Sequence, residues 1–211
     1  MPHDTEGTVS VPRLVAWERA DESAGHSMAR IERLPRGWRC HGTEVVAGPQ
    51  ELFSCSFRVD LDHDWITREV EIRAVAAGGQ RTLIMSADDQ RRWQVNGRHH
   101  RELNGCIDVD VAATPLTNTF PVRRLRGLDV GGQATAPIAW VDVPDLGVTR
   151  VEQTYRRLAD VDRLEAWEYR DPRHGPFVLT VDADGLVVTY EGFARRVAAT
   201  PEPPAHQQVV R

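Results

Sequence analysis

Short segments with the periodicity of β-strands dominate this chain, and turn residues separate them at intervals of roughly 8–12 residues. The segment EVEIRAVAA, which begins at Glu69, alternates charged and apolar side chains, as expected of a strand in a sheet with unlike faces. Gly78-Gly79 then supply a turn, and RTLIMSA follows as the return strand. RRWQVNG ends on Asn96-Gly97, a dipeptide typical of β-hairpins.

The C-terminal third contains further strand signals. Residues 177–181 and 186–190 are rich in β-branched and aromatic side chains, and Gly185 supplies the positive φ that a hairpin turn between them needs. DRLEAWEYR is compatible with a helix that begins at an Asp cap or with a strand. We predict a strand because the segment lies between strand signals and ends at Asp171-Pro172.

Helical signals are few. A short helix can follow Pro115 in TPLTNTFPVRRL, and we expect Pro121 to end it. The many short strands predict a mainly β protein, either an antiparallel barrel or a sandwich. The chain of 211 residues suits one domain. We predict a single β domain over residues 13–198, with flexible tails at 1–12 and 199–211.

Composition and charge exclude several classes of protein. The net charge is −5 with no basic stripe, so we expect no nucleic-acid partner. There is no signal-peptide pattern, and no apolar run approaches the ~20 residues of a membrane-spanning helix. Cys40, Cys55 and Cys106 fit neither a disulfide framework nor a Cys-x-x-Cys pair, and the histidines lack metal-ligand spacing. We therefore expect a soluble cytoplasmic protein without a metal or other cofactor.

The most informative segment is GCIDVDVAATPLTNTFPVRRL, residues 105–125. In an extended chain Asp108 and Asp110 share one face, where two carboxylates are costly to bury without a partner. Arg123 and Arg124 follow a chain reversal and can form paired hydrogen bonds with carboxylates, which favours a structural ion-pair network. The alternative is a catalytic carboxylate pair or a hard-cation site.

This segment resembles a family of bacterial proteins known as the putative glycolipid-binding proteins. The family pattern has a Trp before Gly-Cys, an Asp-x-Asp strand, Thr-Pro, Thr-Asn-Thr, and then Pro and Arg-Arg-Leu. The resemblance covers about residues 14–197, and one departure is Phe120, where the pattern has Leu. The matching positions are Trp93, Gly105-Cys106, Asp108, Asp110, Thr114-Pro115, Thr117-Asn118-Thr119, Pro121 and Arg123-Arg124-Leu125.

The resemblance implies a curved antiparallel sheet that forms an open half-barrel, similar to bacterial lipoprotein carriers, and binding of a lipid or glycolipid. From the residues themselves, aromatic side chains can line a cavity or stack on a sugar, and polar groups can lie at its mouth. No residue is predicted to be catalytic. The candidate ligand-binding residues are Trp93, Asp108, Asp110, Asn118, Arg123, Arg124, Arg68, Gln153 and Tyr155.

The predicted function is non-catalytic binding of a lipid or glycolipid, with the amphiphile in a cavity of the β-barrel. An arginine of the pair Arg123-Arg124 can then meet an anionic head group unless both are paired to Asp108 and Asp110. One alternative is a hydrolase of a lipid or sugar ester that uses the Asp108/Asp110 strand. The other is a structural or interaction domain with a filled core.

Overall fold

The computed structural model describes residues 11–21, 23–49, 51–172 and 174–200, so most of the two predicted tails lies outside the described residues. The described chain forms fifteen strands and one short α-helix. The helix is α1 (Thr119–Leu125), and one-turn 3₁₀ segments occupy Arg101–Leu103 and Leu116–Asn118. The strands are β1 (Arg13–Arg19), β2 (Ala24–Leu34), β3 (Gly37–Ala47), β4 (Leu52–Leu61), β5 (Thr67–Ala76), β6 (Gly79–Ala87), β7 (Trp93–Val95), β8 (Arg98–His99), β9 (Asp108–Val111), β10 (Gln133–Val141), β11 (Val148–Val161), β12 (Leu164–Arg170), β13 (Phe177–Val181), β14 (Val187–Tyr190) and β15 (Ala194–Ala199).

All strands belong to one large curved sheet with the order β8-β7-β6-β5-β4-β3-β2-β1-β15-β14-β13-β12-β11-β10-β9. Neighbours are antiparallel except β9 and β10, which pair in parallel because the chain between them crosses over through α1. The sheet does not close, since β8 and β9 are its two ends. The predicted mainly β fold, an open half-barrel, is therefore confirmed.

The predicted strands follow from local pattern. In β5 the apolar side chains of Val70, Ile72 and Ala74 are buried, and the intervening Glu69 and Arg73 are exposed. The expected hairpins β5–β6, β7–β8 and β13–β14 all form. DRLEAWEYR is a strand, β12, as predicted. The alternation of buried and exposed side chains and the turn residues therefore predicted these strands correctly.

The expectation that Pro121 ends the helix was wrong. Pro121 is the third residue of α1, which continues to Leu125. The first N–H groups of a helix have no partner within it, so a proline there removes no hydrogen bond. No helix of the described residues is long and apolar enough to span a membrane.

The edge strand β9 is held against the start of β5, although the two strands are not neighbours in the sheet order. The backbone N–H of Thr67 donates to the carbonyl of Ile107 at 3.3 Å, and the Thr67 hydroxyl accepts from the Val109 N–H at 3.2 Å. The Arg91 guanidinium donates to the carbonyls of Thr67, Cys106 and Ile107 at 2.7–3.0 Å. These contacts place β9 and the helix that follows it over the core.

The core consists of two apolar clusters. The larger one joins side chains of β1–β7 and β9 and includes the buried side chains of Trp17, Trp93 and Phe120. The smaller one packs Val122 of α1 against β11–β14, where it includes Trp167. The helix thus contributes to both clusters, and its position fixes the segment that precedes it.

Gly42 makes a testable contribution to packing. It pairs with Phe57 across β3 and β4, and a Cβ at position 42 would lie 2.0 Å from Phe57 Cζ. We expect Gly42→Ala to lower the free energy of unfolding by about 1–3 kcal/mol, because the ring must leave its site. Chemical denaturation measures this. Gly78→Ala is the matched control, since no atom lies within 4 Å of its added Cβ; equal stability of the two variants would contradict the prediction.

Candidate functional site

A half-open cavity of about 310 Å³ lies at the ends of β9, β12 and β14. Its polar lining comes from segments that are far apart in the sequence. Asp110 belongs to β9, Thr114 and Asn118 precede α1, and Asp171 and His174 follow β12. The cavity therefore depends on the crossover that brings β9 beside β10 and on the return of the chain through β12.

Apart from Ala112 and Gly192, the remaining wall of the cavity is aromatic. Its rings belong to Trp140, Tyr169, Phe177, Tyr190 and Phe193. The Tyr169 and Tyr190 ring centroids are 6.0 Å apart, those of Phe177 and Tyr190 are 5.6 Å apart, and those of Tyr190 and Phe193 are 4.9 Å apart. These spacings are in the range of direct aromatic contact, so four of the rings form a continuous surface.

Asp110 is held by neutral hydrogen-bond donors. The Thr117 hydroxyl donates to Asp110 Oδ1 at 2.7 Å, and Gln153 Nε2 donates to Asp110 Oδ2 at 2.5 Å. Burial raises the pKa of Asp110 above its usual range, and the negative charges of Asp171 and Asp108 raise it further, against the effect of the two hydrogen bonds. The site thus contains a carboxylate whose negative charge is costly.

A chain of hydrogen bonds connects Asp110 to the other carboxylate of the cavity. Gln153 Nε2 also donates to the Tyr169 hydroxyl at 3.0 Å, and that hydroxyl donates to Asp171 Oδ2 at 3.1 Å. The backbone N–H of His174 donates to Asp171 Oδ1 at 2.9 Å, and its ring Nδ1 lies 3.3 Å from Asp171 Oδ2. The chain fixes the rotamers of the polar groups before any ligand arrives.

Tyr155 lies behind the lining and supports it. Asn118 Nδ2 donates to the Tyr155 hydroxyl at 2.7 Å, and the ring centroids of Tyr155 and Tyr169 are 5.2 Å apart. Burial and the charge of Asp110 raise the pKa values of Tyr155, Tyr169 and Tyr190, so all three hydroxyls remain protonated at neutral pH. They can donate as well as accept hydrogen bonds.

Asp108 lies two residues before Asp110 but has a different environment. It is 1% exposed, and Arg124 Nη1 and Nη2 donate to its two carboxylate oxygens at 2.8 and 2.5 Å. Burial raises the pKa of Asp108, and the paired hydrogen bonds from Arg124 oppose that increase. The ion pair expected for the Asp-x-Asp strand therefore forms at Asp108 with Arg124, while Asp110 faces the cavity.

The other predicted site residues lie outside the lining of the cavity. Trp93 is fully buried in the larger core, where its indole N–H donates to the Cys106 carbonyl at 3.0 Å. Arg68 Nε donates to Asp62 Oδ2 at 2.9 Å near the surface. The Arg123 guanidinium lies 4.3 Å from the centroid of the Trp65 ring. Of the nine predicted residues, the structure brings together Asp110, Asn118, Gln153 and Tyr155.

A buried carboxyl group lies behind the cavity floor. Glu44 of β3 is 2% exposed, and its Oε2 accepts a hydrogen bond from the Ser27 hydroxyl, whose oxygen lies 3.4 Å from that of Thr114. Among the described residues, its Oε1 has no hydrogen-bond partner. Burial raises the pKa of Glu44 to about 8, although the hydroxyls of Ser27 and Thr114 and the charge of Arg19 oppose the shift.

In the described part of the chain, no group of His, Cys, Asp and Glu side chains is arranged to hold a metal ion. Cys40, Cys55 and Cys106 are free and buried. Burial raises the pKa of Cys106 to about 11, which keeps its thiol protonated and weakly nucleophilic at neutral pH.

Sequence reasoning missed all five rings of the aromatic wall and one carboxylate of the cavity lining. The missed residues stand at strand ends or in turns, where a sequence pattern does not show which side chains converge. Their nearest sequence signal is the clustering of aromatic residues near the ends of the last predicted hairpin. The missed lining residues with aromatic or ionisable side chains are Trp140, Tyr169, Asp171, His174, Phe177, Tyr190 and Phe193.

Comparisons with known proteins agree with this fold. A family model described as "Putative glycolipid-binding" matches residues 14–196. The crystal structure of a DUF1089 family protein from Pseudomonas aeruginosa is similar, with a TM-score of 0.68 and 25% sequence identity. That similarity covers 93% of this chain and 100% of the other. No curated protein matches the sequence.

Proposed function

The chain belongs to the "Putative glycolipid-binding" family, and we propose that it is a non-catalytic glycolipid-binding protein that holds the sugar headgroup in the cavity beside Asp110 and Tyr190. The family description supports a glycolipid as the ligand, and the lining of the cavity supports the sugar headgroup as the part that is bound. A volume of about 310 Å³ is at the lower end of the range for small-molecule sites, which suits a single sugar ring.

The observation that carries this proposal is the pairing of aromatic and polar groups in one cavity. A sugar ring has apolar C–H faces and a rim of hydroxyl groups. The contiguous rings of Tyr169, Tyr190 and Phe193 offer a surface for the C–H face. Asp110 and Asn118 offer acceptors and a donor for the hydroxyls. A purely apolar ligand would bind weakly in this cavity, because the polar lining groups would lose their water without gaining hydrogen-bond partners.

In this proposal the acyl chain does not lie inside the β-barrel, where the sequence analysis placed the amphiphile. The larger apolar cluster consists of closely packed buried side chains, among them Trp17, Trp93 and Phe120. We therefore place the sugar in the cavity and let the acyl chain extend from its open side. We assign no ligand contact to Arg124, which is paired with Asp108, or to Arg123, which lies over Trp65.

Filling the cavity tests the proposal. We expect the wild-type protein to bind octyl glucoside, at concentrations below micelle formation, and Ala112→Trp to bind it at least about tenfold more weakly, because an indole in this lining position occupies the space of the sugar. Isothermal titration calorimetry measures both affinities. Val130→Trp is the matched control, since it adds the same group at a residue that is 64% exposed.

Three results would count against the proposal. Absence of octyl glucoside binding by the wild-type protein would contradict the sugar site, and equal binding by Ala112→Trp would place it elsewhere. Hydrolysis of chromogenic glycosides or esters, lost in a folded Asp110→Asn variant, would favour the hydrolase alternative. We expect these substrates to remain intact.

A further inference from the structure

The two carboxylates of the Asp-x-Asp strand differ in how their charge is balanced. Asp108 has a full counter-charge in Arg124, with two hydrogen bonds of 2.8 and 2.5 Å. Asp110 receives hydrogen bonds from Thr117 and Gln153, which are both neutral. Across the described residues, Asp110 has no cationic partner within ion-pair distance. The protein thus provides donors for this carboxylate without providing a positive charge.

The aromatic wall suits the positive charge that Asp110 lacks. The face of an aromatic ring attracts a cation through the ring quadrupole, and this attraction is strongest where water is excluded. Tyr169, Phe177, Tyr190 and Phe193 form such a wall, with centroid separations of 4.9–6.4 Å between neighbouring rings. A carboxylate beside contiguous aromatic rings is the arrangement that proteins use to hold ammonium groups.

The charges of the lining disfavour anionic head groups. Asp110 faces the cavity without a cationic partner among the described residues, and the ring Nδ1 of His174, another lining residue, lies 3.3 Å from Asp171 Oδ2. A phosphate, sulfate or carboxylate in this space would be repelled by the Asp110 carboxylate. A neutral sugar is tolerated, and a sugar with a positive group is attracted.

We infer that the cavity selects a glycolipid whose sugar carries a free ammonium group, with Asp110 as its counter-ion and the aromatic wall as its second contact. This inference rests on the proposed function and narrows its ligand to unacetylated amino sugars. The raised pKa of Asp110 agrees with this geometry, because an ammonium ligand would offset the burial that raises it.

Three matched amphiphiles test the inference on the wild-type protein: octyl glucoside, its 2-amino-2-deoxy analogue and the N-acetylated form of that analogue. Only the second carries a positive charge at neutral pH. We expect it to bind at least about tenfold more tightly than the other two in isothermal titration calorimetry. Ethanolammonium serves as an ammonium probe without a sugar, and we expect it to bind more weakly than the amino glycoside.

Variants assign the effect to Asp110. We expect Asp110→Asn to bring the affinities for the charged and neutral glycosides within about threefold of each other. Asp89→Asn, which neutralises a carboxylate that is 97% exposed and outside the cavity, should keep the wild-type selectivity. Circular dichroism shows whether each variant is folded. If Asp110→Asn fails to fold, the preference of the wild-type protein for the charged glycoside is the test of the inference.

The possible results separate the inference from the proposed function. Equal affinities for the three glycosides in the wild-type protein would overturn the inference and leave the sugar site standing. Absence of binding for all three would contradict the proposed function itself. Ethanolammonium binding as tightly as the amino glycoside would overturn the role of the sugar and indicate a site for a simple ammonium group.

Discussion

Arg124→Met is expected to lower the free energy of unfolding by about 3–5 kcal/mol at neutral pH, which is the usual cost of removing one partner of a buried ion pair. The reason is that Asp108 is 1% exposed and would lose both of its hydrogen bonds from the guanidinium. A buried carboxylate without a partner must either keep an uncompensated charge or take up a proton. Urea denaturation followed by circular dichroism measures the loss.

Two further variants serve as controls for the loss of stability in Arg124→Met. Arg92→Met removes a guanidinium from an exposed pair with Asp88, and we expect a loss below about 1 kcal/mol. Combining Asp108→Leu with Arg124→Met replaces the buried pair by apolar groups and should recover much of the lost stability. A loss for Arg124→Met no larger than that for Arg92→Met would show that Asp108 is better solvated than the structure indicates.

Stability is expected to fall as the pH rises from about 5 to about 8, with Glu44 contributing roughly 3–4 kcal/mol to the fall. The ordinary pKa of a glutamate is near 4.5, and burial raises that of Glu44 to about 8. Between these values the unfolded chain has lost the proton and the folded protein has kept it. The unfolded state is therefore favoured by increasing pH, and the stability contributed by neutral Glu44 is fully present only below the lower value.

Glu44→Gln isolates this effect, because glutamine keeps the shape of the protonated carboxyl group and does not ionise. We expect the variant to lack this part of the pH dependence and to be more stable than the wild-type protein near pH 8. Thermal denaturation at a series of pH values measures it. Glu71→Gln is the control, since the Glu71 side chain is 45% exposed. Parallel pH profiles for wild type and Glu44→Gln would contradict the prediction.

The two predictions describe the surroundings of one cavity. Asp108 and Arg124 fix the β9 strand against α1, and this fixes the position of Asp110. Glu44 and Ser27 lie behind Thr114, which forms part of the cavity lining. If the proposed function is correct, variants at either place should weaken sugar binding through the geometry of the lining rather than through direct contact.

The β-architecture could be predicted because its signals are local. The alternation in β5, the Asn96-Gly97 turn and the Gly185 turn each act within a few residues, and each appears in the structure where the sequence places it. Pro121 shows the limit of such reasoning. Its effect on a helix depends on its distance from the helix start, and that start was set by the packing of Phe120 and Val122 into the core.

The sequence by itself determined a mainly β chain, its hairpins and a set of polar residues in one motif, because period-two burial and turn chemistry are properties of neighbouring residues. The tertiary structure alone decided that Asp108 is neutralised by Arg124 while Asp110 faces a cavity. It also brought Tyr169 and Tyr190 to the same wall, from strands that are not adjacent in the sheet. Such convergence depends on sheet curvature and on the crossover between β9 and β10, and no local pattern encodes either of them.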